Sequence, residues 1–233
     1  MISFGLITEG LTDQIVIENI LAGYFKNPDL DIRPLQPERD KKDENKFKGY
    51  GSWSQVFAYC HLKDFQEAFQ FNDYIIIQID TDVSEEHGYD IPQRDENGEF
   101  TPKELIKKVI EKFKEEIIGE YFYSQCQQRI IWAISVHSIE CWLLPLYYKD
   151  NKKSKFKKCL ETLNKELVKK HDFTIDAKKP EYYRDISKQY RKHKDLMACY
   201  QHNPSLTSFV VDIESKKIVI PLEDEWKSLG NFA

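Results

Sequence analysis

Tyr74-Ile75-Ile76-Ile77-Gln78-Ile79-Asp80-Thr81-Asp82 decides how the rest of the chain is read. Residues 74 to 79 form a largely apolar run rich in β-branched side chains, the signature of a buried strand, and two aspartates stand where that strand should end. Working outward, Ile2–Ile7, Asp29–Leu35 and Ile130–Val136 read as further strands. Between them lie segments of helical periodicity. Alternation of this kind predicts an α/β fold with an open, mostly parallel sheet flanked by helices.

The helices are specified unequally. Thr101-Pro102-Lys103-Glu104 combines an N-cap, a first-turn proline and a capping-box glutamate, and predicts a helix carrying Leu105, Ile106, Val109, Ile110, Phe113 and Ile117 on its core side. After the first strand, Thr12 is the expected cap of a helix whose buried stripe is Val16, Ile17, Ile20, Leu21 and Tyr24. A single helix is expected from Ser54 to Phe71, and one containing Trp142 and Leu143 after the fourth strand. Beyond Lys152 the pattern becomes basic and helical, with Phe156, Leu160, Leu163 and Leu167 as one apolar row. Near the end, Pro204-Ser205 can start a helix bearing Leu206, Phe209, Val210 and Ile213 with a short strand after it, the favoured reading, while FVVDI, ESKK and IVIPL also read as a hairpin. The expected organisation is therefore a core over residues 1–150 and a basic helical extension over 151–233 packed on it.

Composition narrows the function classes. The chain has 233 residues, 41% of them hydrophobic, enough for a substantial interior. No apolar run approaches the roughly 20 residues that span a bilayer, and the N-terminus does not read as a leader, so a cytoplasmic location without membrane contact is expected. Five cysteines without a C-x-x-C pair read as reduced thiols. Charge is divided unevenly: residues 1–150 hold 16 Lys/Arg against 27 Asp/Glu, whereas residues 151–194 hold 15 against 6. A polyanion would be repelled by the first part unless a cation occupied its carboxylates, and attracted by the second.

Three acidic groups stand at strand exits: Glu9 and Asp13 after the first strand, Asp80 and Asp82 after the third, Glu140 with Ser138 after the fourth. In an open parallel sheet such exits meet in one crevice. Carboxylates gathered there repel one another unless a hard cation, Mg²⁺ or Mn²⁺, neutralises them. Asp80 and Asp82, two apart at a strand end, can face the same cation while Thr81 faces elsewhere. Each group also has a structural reading, as an exposed turn, a first-turn acid or a helix cap. Glu85 and Glu86 can extend the acidic site, and His87 and His137 can orient water or contact phosphate.

The motifs ITEGLTD, IIIQIDTD and SIECWLLP, in this order, resemble those of compact bacterial Toprim-like proteins, relatives of the domain found in topoisomerases, primases and overcoming-lysogenization-defect nucleases. NPSLTSF, residues 203–209, is similar to the C-terminal region of small stand-alone members, several of them associated with restriction or phage-defence genes. The resemblance covers residues 1–150 well and the remainder loosely. It implies that Glu9, Asp80 and Asp82 carry divalent-metal-dependent cleavage or joining of DNA or RNA phosphodiesters, with Asp13 and Glu140 as supporting acids. Because no topoisomerase, primase or ATPase motif accompanies the match, hydrolysis is the expected activity. Lys46, Lys48, Lys152, Lys153, Lys155, Lys157, Lys158, Arg184, Arg191 and Lys192 are the expected nucleic-acid contacts, with Trp53, Tyr182 and Tyr183 as stacking surfaces. IIIQIDTDV also satisfies the D-x-D pattern of haloacid dehalogenase-like phosphatases, in which Asp80 would be the nucleophile and Asp82 the acid or base. A third reading is a non-catalytic scaffold for nucleic acid or a partner protein. The sequence leaves a homo-oligomer open.

Overall fold

The computed structural model of the chain describes residues 2–40, 43–47, 52–176 and 178–220. Four strands, β1 (Ser3–Ile7), β2 (Asp31–Gln36), β3 (Tyr74–Asp80) and β4 (Ile130–Ser135), form one sheet in the order β2-β1-β3-β4, with every neighbouring pair parallel. Two short antiparallel ladders lie outside it, Arg39–Asp40 with Asp43–Phe47 and Arg94–Asp95 with Gly98–Glu99. The protein is thus an α/β protein built on a parallel sheet flanked by helices.

Alternation along the strands creates two apolar layers. Phe4, Leu6, Ile76, Ile131 and Ala133 face one side, under α1 (Leu11–Phe25), α6 (Glu140–Tyr147), α7 (Cys159–His171), α8 (Pro180–Ser187), α9 (His193–Cys199) and α10 (Pro204–Ser215). Ile75, Ile77, Ile79, Ile130, Trp132 and Ile134 face the other, under α2 (Trp53–His61), α3 (Lys63–Phe71), α4 (Pro102–Lys112) and α5 (Glu120–Cys126). Leu163, Leu167, Tyr183, Ile186, Leu196, Phe209 and Ile213 share one apolar cluster with α1 and the sheet.

The strand order reverses direction between β1 and β3. From β1 the chain moves to β2 on one side, and from β3 to β4 on the other, so the helices that leave these strands lie on opposite faces. A crevice opens at the carboxyl ends where the two halves part. The residues following β1 and β3 stand at its mouth.

The four expected strands and the Thr101–Glu104 capping box are present, the latter with Glu104 N–H donating to Thr101 Oγ1 and Thr101 N–H to Glu104 Oε2. Several local expectations are corrected. Helix α1 starts at Leu11, so Thr12 lies inside it and Gly10 occupies the cap position without a side-chain bond. It is buried nearly all round, rather than along one stripe, because α8 and α9 cover the side that an isolated βα unit would leave in water. The Ser54–Phe71 segment divides at Leu62, whose extended backbone lets Val56, Phe57 and Cys60 on one half and Phe65, Ala68 and Phe69 on the other turn inward separately.

Phe156 precedes α7 and packs in the opposite apolar layer from Leu163 and Leu167, so the expected row is not one helical face. Cys141 and Cys159 are joined in a disulfide that ties the start of α6 to the start of α7, which corrects the reading of every thiol as reduced. Cys60, Cys126 and Cys199 are free. The C-terminal helix is α10, and no strand follows it through residue 220. No helix among the described residues is long and apolar enough to cross a membrane.

Candidate functional site

The crevice between β1 and β3 is closed by a short hydrogen-bonded circuit. Glu9 Oε1 accepts the Asp80 backbone N–H at 2.6 Å, and Glu9 N–H donates to Gln78 Oε1 at 3.0 Å. Gln78 Nε2 then donates to Asp80 Oδ1 at 2.8 Å. Gln78 and Asp80, two apart on β3, share the face covered by α1 and α6. The one polar residue within the apolar run is therefore the link between the two strand exits. Its interruption of YIIIQI was the sequence signal for this role.

Asp13 and Glu140 approach the same place from helix N-termini. Asp13 sits in the first turn of α1 and Glu140 begins α6, which places both carboxylates near the positive ends of helix dipoles. Gly10 makes room for the first of them: a Cβ there would stand 2.9 Å from Asp13 Oδ2. Asp13 is 6%, Asp80 6% and Glu140 1% exposed, so three carboxyl groups are almost out of water. Asp82 stands at the exposed rim. Glu140 accepts a hydrogen bond from the buried Tyr183 hydroxyl.

Electrostatics join these acids into one unit. Burial pushes Glu9 up to about 8, with Asp13 and Asp82 adding to the rise and the Asp80 N–H and Lys178 opposing it. Asp13 is pushed up to about 7, chiefly by burial and then by Glu140, against the pull of Lys178. Asp80 lies well above the carboxylate range because it is buried and faces Glu9, Asp13, Glu140 and Asp82. Burial also raises Asp82. Lys178 is itself disfavoured by burial of its amino end, but Glu140, Asp13, Asp80 and Asp82 outweigh that and raise it. Five acids are thus electrostatically linked, with Lys178 among them.

Glu9, Asp13, Asp80, Asp82 and Glu140 are all brought together. Sequence reasoning missed Gln78, Lys178 and the part played by Tyr183, which is fully buried on Glu140 and therefore offers no stacking surface. Nothing in the local pattern around Lys178 marks it. It reaches the acids because Ile175 is buried in the core and Asn164 clasps the segment, accepting the Ile175 N–H and donating to Asp176.

The chemistry of this donor set suits a hard divalent cation: the groups are carboxylate oxygens, and burial together with neighbouring carboxylates raises the proton affinity of Glu9, Asp13, Asp80 and Asp82. Ser135 adds an observation of a different kind. It pairs in register with Asp80, so its side chain emerges on the same face, and among the described residues its fully buried hydroxyl has no hydrogen-bond partner. A buried polar atom in that position calls for a ligand or water. As placed, the carboxylates are gathered without being arrayed for coordination: among the described residues no group of three or more His, Cys, Asp or Glu is set to hold a metal ion. The bonds from the Asp80 N–H and from Gln78 engage one oxygen of the Glu9 and one of the Asp80 carboxylate, Oε1 and Oδ1 respectively.

The expected basic contacts are scattered. Lys157 pairs with Glu99, Lys152 lies beside Asp150, and Lys153 meets His202. Lys155 donates to Thr162, and exposed Lys158 stands at the start of α7. Arg184 is exposed on α8. Arg191 lies beside Ala22, Lys26 and His193, at the far end of α1 from Asp13, and Lys192 adjoins it. These two are therefore not part of the crevice. Lys46 lies on the Asp43–Phe47 strand, its side chain outside the described residues, as is the whole of Lys48. Trp53 packs on Phe57 and Tyr89 and donates to Glu86, while Tyr182 packs on Phe173. Glu85 accepts the Gln93 N–H, and His87 stands fully exposed near Asp90, so neither joins the acidic group.

Fold and site together define an α/β protein with an acidic crevice at its topological switch point. Compared with known proteins, the chain matches no family model, no curated protein and no solved structure.

Proposed function

We propose that this is a Toprim-like, divalent-metal-dependent phosphodiester hydrolase that acts on DNA or RNA in the cytoplasm, in phage defence or nucleic-acid processing. The observation that carries the reading is the gathering of Glu9, Asp80, Asp82, Asp13 and Glu140 at one strand-exit crevice, with Lys178 among them. Asp80, Asp82 and Glu9 would hold Mg²⁺ or Mn²⁺, supported by Asp13 and Glu140, and the ion would polarise a phosphate and activate water. Gln78 orients Asp80, and Tyr183 orients Glu140. Lys178 meanwhile offsets part of the acids' charge.

The phosphatase reading is supported less well. An attacking carboxylate needs access to its substrate, whereas Asp80 is nearly enclosed and bonded to Gln78. Cleavage assays on single- and double-stranded DNA and RNA, with Mg²⁺ or Mn²⁺, test the proposal against Asp80→Asn and Glu9→Gln controls. Metal-dependent cutting lost in both variants supports it. Binding without cutting points to a scaffold, and a beryllofluoride adduct at Asp80 points to a phosphatase.

A further inference from the structure

Beside the acidic crevice, His137 adopts φ 64, in the left-handed region that residues with a Cβ enter uncommonly, histidine being among the more frequent of them. Such a conformation persists only where its surroundings enforce it. Here they do so through three bonds. His137 N–H donates to Thr81 Oγ1 at 2.9 Å, and its carbonyl accepts the N–H groups of Thr81 at 2.9 Å and Asp82 at 3.0 Å. The exit of β4 is thereby locked to the Asp80–Asp82 turn at the exit of β3.

None of these bonds uses the imidazole. The ring is half-buried in the combined field of Lys157, Asp82 and Glu99, and among the described residues it has no hydrogen-bond partner. Lys157 Nζ is held by Glu99 at 2.5 Å, and the pair borders a small cavity lined also by Gln93, Phe100, Val136 and His137. An exposed ion pair of this sort adds little stability. Lys157, Glu99 and the His137 ring thus line one cavity, and Lys157 and Asp82 both act electrostatically on that ring.

Resting on the proposed phosphodiester hydrolysis, we infer that His137 and Lys157 form a phosphate-holding lip that receives the nucleic-acid phosphate next to the one placed over the acids. The incoming phosphate takes the place of the Glu99 carboxylate on Lys157 and accepts a hydrogen bond from the His137 ring.

The experiment uses His137→Gly, Lys157→Gln and Asp80→Asn in the full chain. Fluorescein-labelled oligo(dT) and oligo(U) serve as probes, and Mn²⁺-induced thermal stabilisation is a separate readout. Glycine accepts φ 64 freely, so His137→Gly should melt at or above the wild-type temperature while binding the probe about tenfold more weakly. Lys157→Gln should reduce the slope of log affinity against log salt by about 0.7, the loss of one phosphate contact on a single strand. Both variants should keep the Mn²⁺ stabilisation that Asp80→Asn loses. Wild-type probe affinity and salt dependence in His137→Gly and Lys157→Gln, with the Mn²⁺ response intact, would overturn the lip and leave the acidic site standing. A wild-type protein that binds neither probe and ignores Mn²⁺ would overturn both.

Discussion

Glu9 and Asp80 are bonded across the gap between two strands: the carboxylate that follows β1 accepts the backbone N–H of the last residue of β3 at 2.6 Å. Because Gln78 closes the same circuit through the Asp80 carboxylate, the strand exits are held in register by the groups that also crowd negative charge together. Hydrogen bonding and charge repulsion therefore pull in opposite directions here, and the consequences can be measured.

Replacing Asp80 by Asn keeps the shape and the bond from Gln78, and at a pH high enough to ionise the wild-type acid it removes one of several buried like charges. Without metal the variant should be more stable by about 1 kcal/mol, a gain typical of relieving a strained functional site. For a chain of this size that corresponds to a rise of about 2–4 °C in Tm. Added Mn²⁺, which should stabilise the wild type, should leave the variant unchanged. Differential scanning calorimetry with and without the ion checks both statements.

The pH dependence has a definite sign. Glu9 rises from 4.5 to about 8 on folding and Asp13 from 3.8 to about 7, so the folded protein holds these protons more tightly than the unfolded chain does. Their contribution is complete below the unfolded values and is lost as pH climbs through the folded ones. In EDTA, Tm should fall between pH 5 and pH 9, and Glu9→Gln should fall less over the same window. Mg²⁺ should flatten the wild-type curve, since a cation binds the ionised carboxylates. A wild-type Tm that rises steadily to pH 9 in EDTA would show that these acids are not coupled as described.

Lys178→Met should make the fall with pH steeper. The lysine interacts with Glu140, Asp13, Asp80 and Asp82, and its absence matters most when those acids are ionised. The loss of Tm relative to wild type should be larger at pH 9 than at pH 5, whereas a loss independent of pH would assign Lys178 a packing role only.

Tyr183→Phe deletes one hydroxyl and leaves a buried carboxylate at Glu140 without its donor. The expected cost is about 1–3 kcal/mol in urea unfolding. A change below a few tenths of that would mean that water replaces the hydroxyl without penalty.

Gly23→Ala tests the packing of α1 against the C-terminal helices. A Cβ at this position would lie 1.8 Å from the Tyr190 carbonyl oxygen, a collision that only backbone movement can relieve. Despite the better helix propensity of alanine, destabilisation by about 1–3 kcal/mol is expected. A variant as stable as the wild type would show that α1 and the Tyr190 segment can separate without loss.

The strands, the Thr101–Glu104 helix start and the acids at the strand exits were legible in the sequence because each depends on local rules: runs of β-branched residues, a capping pattern within four positions, and the convergence of carboxyl ends in a parallel sheet. The Leu62 break, the full burial of α1 and the opposite layers of Phe156 and Leu163 were not, since each is decided by what packs against the segment.

By itself, then, the sequence determined an α/β chain whose Glu9, Asp13, Asp80, Asp82 and Glu140 belong to strand exits. Only the tertiary structure decided which distant groups meet them. Lys178 reaches the acids through a segment anchored by Ile175 and Asn164, Tyr183 reaches Glu140 from α8, and Arg191 is carried to the opposite end of α1. Hydrophobic periodicity places residues on faces, but it carries no information about which remote face will cover which crevice; that follows from how whole layers bury their apolar surface.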